Sequence, residues 1–223
     1  MISFLPFYIT FKLAFFTTLI LFIIGVPLSY FLAFSKMKGK IFIESILLLP
    51  IVLPPTVLGY YFIVLLGPES RVGQLLEAVF GIQLAFTFEG ILLGSLIFCT
   101  PFMLTPIING FKSIPKNIIE STMILNKSRF NALWFVYLPM IKKNLLNATL
   151  LTFAHTIGEF GLVLMIGGKL NDTKVAAVAI YDEMNAMNYE AVDLYAFILL
   201  IISFILILII NLLSRKKNTI PGA

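Results

Sequence analysis

The stretch LYAFILLIISFILILIINLL, Leu194–Leu213, is twenty residues long, and only Ser203 and Asn211 break its apolar run. A helix rises about 1.5 Å per residue, so twenty residues cross the ~30 Å hydrocarbon core of a bilayer. A helix that is apolar all round must be buried or lie in lipid. The rest of the chain has the same character: 60% of its 223 residues are apolar and 12% are charged. Mean hydropathy is +1.02 and the mass is 25.0 kDa. Soluble domains carry about 45–50% apolar and roughly 25% charged residues, and one core of this size cannot hide the excess. Disordered, collagen-like and nucleic-acid-binding classes are excluded.

Working outward from that stretch, residues 7–34, 43–66, 90–111 and 145–166 are also long and apolar enough to cross. The expectation is an all-α membrane protein, a polytopic helical bundle of about five transmembrane helices in one domain, 1–223. The first segment lacks a basic start and a small-residue cleavage site, so it reads as a retained span. The second holds Pro50, Pro54 and Pro55. Each proline removes a donor and clashes one turn back. Within a bundle such a break either lines a pathway or serves packing alone.

The charges give an orientation. Lys36, Lys38 and Lys40 follow the first span, and Lys112, Lys116, Lys127, Arg129, Lys142 and Lys143 lie between the third and fourth. Arg215, Lys216 and Lys217 follow the fifth, so these segments hold twelve of the sixteen basic residues. With five spans all three fall on one side, which the positive-inside rule makes the cytoplasm. The opposite loops hold eight of the eleven acidic residues. The N-terminus is expected outside and the C-terminus inside. The net charge of +5 is then a topology signal and needs no nucleic-acid partner. Lys12, near the outer end of the first span, is expected to snorkel toward lipid headgroups. Short helices are expected in the outer loops over 72–80 and 175–184.

Residues 113–139 are too polar to span and too patterned for a plain loop. Pro115 suits a helix start, Asn117–Leu125 reads as helix, and Asn126 can end it. Ser128 can cap a second helix over Arg129–Val136, and Pro139 is expected to stop or redirect the chain. Ile118, Ile119, Leu133 and Trp134 are expected to pack on the bundle, leaving Glu120, Lys127 and Arg129 free.

The run IESTMILNKSRFNALWFVYLP, Ile119–Pro139, resembles the coupling loop of ABC-importer permeases: a glutamate, two small residues, a turn residue, then an apolar stretch closing in Leu-Pro. Glu120 holds the glutamate position. Ser121 and Thr122 replace two alanines, Asn126 stands where glycine is usual, and Leu138 and Pro139 close the motif. LPIVLPPTVLGYYFIVLLG (Leu49–Gly67), FGIQLAFTFEG (Phe80–Gly90) and GEFG (Gly158–Gly161) resemble segments of molybdate permeases in order and spacing. The resemblance covers about two thirds of the chain; tungstate and sulfate permeases share parts of it.

The resemblance implies a MetI-like fold and a permease that moves molybdate, or alternatively tungstate or sulfate, by ATP-driven alternating access across the bacterial cytoplasmic membrane. It implies a permease homodimer, two ATP-binding subunits and a periplasmic or lipid-anchored oxyanion-binding protein. ATP and magnesium would sit on the partner ATPase, with no cofactor on this chain. Gly167-Gly168-Lys169 is followed by Leu170 where a Walker A loop requires Ser or Thr. The resemblance places Glu120, Ser121, Thr122, Asn126, Lys127, Arg129, Leu138 and Pro139 in coupling to the ATPase. Pro50, Pro54, Pro55 and Gly59, with His155, Gly158, Glu159, Phe160 and Gly161, are pathway or gate candidates.

Glu159 is ionisable and deep in the fourth span, and His155 lies four residues earlier, on one helix face if the helix is continuous. Such a pair serves either as a proton relay, as in a proton-coupled carrier or channel, or as a hydrogen-bonded lock on helix packing. Thr56, Ser95, Thr100, Thr105 and Asn109 either line a path or add packing polarity. No arginine lies in the five segments, which fits a path that must release its ion. Cys99, the one cysteine, reads as a small core or lipid-facing residue. A lone histidine and a lone cysteine, far apart in sequence, argue against an intramembrane enzyme.

Overall fold

The computed structural model describes residues 3–124 and 128–215, and every regular element among them is helical. Helix α1 (Leu5–Phe34) starts with proline in its first turn, where the missing N–H costs nothing. Helix α5 (Phe88–Lys112) is capped by Thr87, whose hydroxyl accepts from the Gly90 amide at 3.2 Å. Glu89 in its first turn and Lys112 in its last complement the helix dipole. These two helices pack side by side and enclose Leu13, Ile91, Met103, Ile107 and Phe111, all at most 2% exposed.

Two further apolar segments are broken helices, each pair together long and apolar enough to be one candidate span. Helices α2 (Lys40–Val52) and α3 (Pro55–Leu66) meet at a bend of 112°. Leu53 and Pro54 form the break, and Pro50 stays inside α2. Helices α9 (Lys142–Ile157) and α10 (Gly161–Gly167) meet at 60°. Helix α12 (Tyr189–Arg215) is the fifth long apolar element. Only 6% of its most apolar window is buried, against 50% for α1 and α5, so α12 lies at the periphery. It is pinned where it begins: the Tyr195 hydroxyl donates to the Ser3 carbonyl at 2.8 Å, and its ring lies on Phe7. Small helices α4 (Arg71–Phe80) and α11 (Ala176–Asn185) fill the two connections where short helices were expected.

The bundle has two distinguishable ends. Its upper end holds the starts of α1, α5 and α12 and the end of α10, where the Phe86 amide donates to the Ile166 carbonyl at 2.8 Å. Its lower end holds Phe34 of α1, Phe111 of α5 and the Lys112–Glu44 pair at 3.4 Å. The polar segment lies there as α6 (Lys116–Ile124), α7 (Arg129–Ala132), a π-turn (Leu133–Tyr137) and α8 (Leu138–Met140).

Two expectations for this segment are corrected. Pro139 does not stop the chain; only Ile141 separates α8 from α9. The preceding π-turn, closed by the Leu138 amide on the Leu133 carbonyl, widens the backbone where the proline ring would clash in a regular helix. The same turn changes which side chains face inward. Trp134 is 53% exposed, while Ala132 and Tyr137 are buried beside the partly buried Leu133.

Candidate functional site

The two breaks meet. Gly161, the first residue of α10, faces Pro55 and Thr56 at the start of α3; a Cβ on it would lie 3.3 Å from Pro55 Cβ and 3.2 Å from Thr56 Cγ2. One turn further along α3, a Cβ on Gly59 would come within 2.6 Å of Met165 Cβ. Pro54 and Thr56 are exposed beside this contact, Pro55 is half-buried, and Gly59 and Pro50 are buried. Thus the proline-broken α2–α3 pair and the GEFG segment, far apart in sequence, form one discontinuous element. Backbone freed from helical pairing is tolerated at membrane depth where protein covers it or water reaches it.

Glu159 lies within the second break and is 5% exposed. The Ser95 hydroxyl of α5 donates to its Oε2 at 3.1 Å, while Oε1 has no partner among the described residues. Nearby, Cys99 Sγ and Thr156 Oγ1 lie 3.3 Å apart, so α5 makes one buried polar contact to α9 and one to the break that follows it. The expected His155–Glu159 pair is not formed. Helix α9 ends at Ile157, so the four-residue spacing no longer places both side chains on one face. His155 instead stacks on Phe102 with ring centroids 3.9 Å apart, and lies 5.2 Å from the ring of Phe98. Thr100 and Thr105 differ from Ser95: the Thr100 hydroxyl turns back to the Leu96 carbonyl at 2.7 Å. Thr105 and Asn109 line a small α2–α5 groove of about 120 Å³ that also touches Glu44 and Lys112.

From the break a chain of contacts reaches the upper end. The Phe160 ring lies 5.2 Å from Tyr181 of α11, and Lys169 Nζ sits 5.3 Å from the Tyr181 ring centroid. Lys169 and Lys174 clasp Asp182 at 2.8 and 2.7 Å. The hydrogen bonds from Lys169 and then Lys174 hold the Asp182 carboxyl below its ordinary range. Among the described residues, no three His, Cys, Asp or Glu side chains are grouped to hold a metal.

At the lower end, Glu120 and Ser121 of α6 are exposed. Thr122 turns inward, 7% exposed, with its Oγ1 at 2.7 Å from the Tyr137 hydroxyl. Tyr137 in turn stacks on Tyr30 at 6.2 Å and lies tilted against Phe34 at 5.7 Å, rings that also contact Phe111. Leu138 is half-buried against the core and Pro139 is exposed. Asn126 and Lys127 lie outside the described residues, as does the side chain of Arg129. The sequence reading missed Tyr137 and the partnership of Ser95 with Glu159. A tyrosine just before Leu-Pro is a visible signal for an anchored polar tip, but its partner is fifteen residues away.

Comparison with known proteins gives the family. Residues 25–219 match the family model described as binding-protein-dependent transport system inner membrane component. The chain is 36% identical over 210 residues to the molybdenum transport system permease protein ModB of Azotobacter vinelandii, covering 94% of this chain and 93% of that one. It is 28% identical over 216 residues to a putative molybdenum transport system permease protein of Bacillus subtilis, covering 96% and 94%. A probable sulfate transport system permease protein of Chlorella vulgaris is 27% identical over 94% of this chain and 79% of its own. Among solved structures, a bacterial ABC transporter involved in alginate import superposes with a TM-score of 0.80 at 16% identity, covering 96% of this chain and 79% of that one. The MetNI methionine ABC transporter gives 0.72 at 16%, covering 93% and 92%. At such identities these two likenesses speak for the fold, which is the MetI-like permease fold expected from the sequence. The chain belongs to the binding-protein-dependent transport system inner membrane components, as an ABC-importer permease subunit and not an ATPase.

Proposed function

We propose that this permease carries molybdate inward across the cytoplasmic membrane by ATP-driven alternating access. The observation that carries the reading is the similarity, along nearly the whole chain, to the A. vinelandii molybdenum permease. In this reading two copies of the chain form the path, two separate ATP-binding subunits hold ATP and magnesium, and an external binding protein delivers the ion. The basic lower end faces the cytoplasm, which puts the N-terminus outside and gives five crossings. Glu120 and Ser121, exposed on α6, meet the ATPase; Thr122 and Tyr137 pass its movement into α1 and α5. The joined breaks at Pro55 and Gly161 form the part of the path that rearranges as the crossings rock.

The sulfate-permease similarity supports a second substrate of the same chemical class, at lower identity. Elemental analysis of parent and deletion strains, grown on limiting molybdenum, separates the two. Loss of cellular molybdenum with sulfur and tungsten unchanged supports molybdate. Loss of sulfur or tungsten instead keeps the permease and replaces the substrate.

A further inference from the structure

Lys12 is a cation placed inside an apolar helix, and no ion pair holds it among the described residues. It is half-buried on α1, with its Nζ 4.0 Å above the centroid of the Phe88 ring. Among the described residues no carboxylate pairs with it; the salt bridges run from Lys40 and Lys112 to Glu44 and from Lys169 and Lys174 to Asp182. It opens instead into a cleft of about 400 Å³ at the upper end, within the size range of ligand pockets. Tyr8, Phe86 and Phe88 supply ring surface to this cleft, and Glu89 and Asp172 supply two carboxylates. Phe86 adopts a left-handed backbone, φ 63°, uncommon for so large a side chain, while its amide is held by the Ile166 carbonyl at 2.8 Å. The cleft lies level with the first turn of α5, where that apolar helix begins. Tyr8, with an apolar ring and a polar tip, is of the residue type enriched at the boundary between acyl chains and headgroups.

We propose that this cleft seats the headgroup of an amine-bearing zwitterionic phospholipid. Lys12 binds the phosphate, Glu89 and Asp172 receive the ammonium, and the rings of Tyr8, Phe86 and Phe88 border the acyl chains. A free dianion is disfavoured, because the same walls carry two negative side chains. A purely anionic lipid satisfies Lys12 but leaves those carboxylates without a counter-charge. The ammonium–phosphate dipole matches both signs. The inference requires the bundle to lie in a bilayer and is independent of the transported ion, so failure of molybdate uptake and failure of lipid retention are separate results.

The test is native mass spectrometry of the full purified chain with dioleoyl phosphatidylethanolamine, dioleoyl phosphatidylglycerol and sodium molybdate as probes. Wild type is expected to retain phosphatidylethanolamine in preference to phosphatidylglycerol. Lys12→Met should weaken retention roughly fivefold, and Lys12→Arg should restore it. Glu89→Gln with Asp172→Asn should abolish the preference between the two lipids. The proposal is overturned if Lys12→Met retains as much phosphatidylethanolamine as wild type, if wild type shows no preference, or if molybdate displaces the lipid and marks a free-oxyanion site. Should Lys12→Met fail to fold, a photoreactive phosphatidylethanolamine on wild type decides: labelling of peptides holding Tyr8 and Phe88 supports the site, and labelling only elsewhere contradicts it.

Discussion

The hydroxyls of Thr122 and Tyr137 lie 2.7 Å apart in a buried contact that ties α6 to the turn leading into α9. Tyr137 belongs to the ring cluster at the foot of α1 and α5, so the exposed face carrying Glu120 is joined to that cluster. A buried hydrogen bond contributes about 0.5–1.5 kcal/mol, and stranding one partner costs roughly 1–3 kcal/mol. Thr122→Val and Tyr137→Phe should each lower the melting temperature of the purified chain. In the double variant the losses should fall short of additive by about 1 kcal/mol. Strict additivity would mean the two hydroxyls are not coupled.

The contact between the breaks is limited by space. A Cβ on Gly59 would meet Met165 Cβ at 2.6 Å. Gly59→Val is therefore expected to destabilise by about 1–3 kcal/mol through overpacking. Gly161→Ala, with its nearest neighbours at 3.2 and 3.3 Å, should cost less. Thermal melts of the two variants check this order; equal melting temperatures for Gly59→Val and wild type would mean that α3 and α10 are not held this closely.

Among the described residues, the Ser95 hydroxyl is the hydrogen-bond partner of the Glu159 carboxylate. Ser95→Ala leaves a buried carboxyl group without that hydrogen bond and should cost about 1–3 kcal/mol. Glu159→Gln keeps an acceptor for Ser95 and should be milder than Glu159→Ala. Melting temperatures and the yield of folded chain would show the order, and a larger loss from the glutamine variant would contradict the contact.

Asp182 gives a pH dependence with a definite sign. Lys169 and Lys174 lower its folded-state pKa, so its contribution is fully present above the unfolded aspartate value of about 3.9. It is lost as pH falls through the lower folded value. Asp182 is partly exposed, with 30% of its side chain accessible, so the effect should not exceed about 1 kcal/mol. Asp182→Asn should melt below wild type at neutral pH, and the gap should close in acid below about pH 4. A gap that widens in acid would reverse the assignment.

The helical class, the long apolar helices and the proline break were legible because apolar length and proline chemistry are local properties. Helices α4 and α11 were legible for the same reason: apolar spacing on a short amphipathic run. The His155–Glu159 pairing failed because the spacing argument needs a continuous helix, and glycines on both sides of Glu159 and Phe160 accompany a break. Trp134 failed because a π-turn shifts helical phase, which a regular period cannot reveal. Ser95 with Glu159 is a contact across sixty-four residues, and the meeting of Pro55 with Gly161 is likewise tertiary. Each partner was visible as a candidate, but their association arises only when α3, α5 and α10 pack.

The most direct test of the central claim is uptake of radiolabelled molybdate by the deletion strain carrying wild type or Glu120→Lys, with co-purification of the ATPase read in parallel. Glu120 is exposed, so the variant should fold and reach the membrane at the wild-type level. Charge reversal at an interface costs several kcal/mol, and each ~1.4 kcal/mol is tenfold. The account predicts restored uptake with wild type, at least about tenfold less with Glu120→Lys, and loss of the ATPase from the purified variant. Wild-type uptake and full ATPase recovery with Glu120→Lys would contradict it.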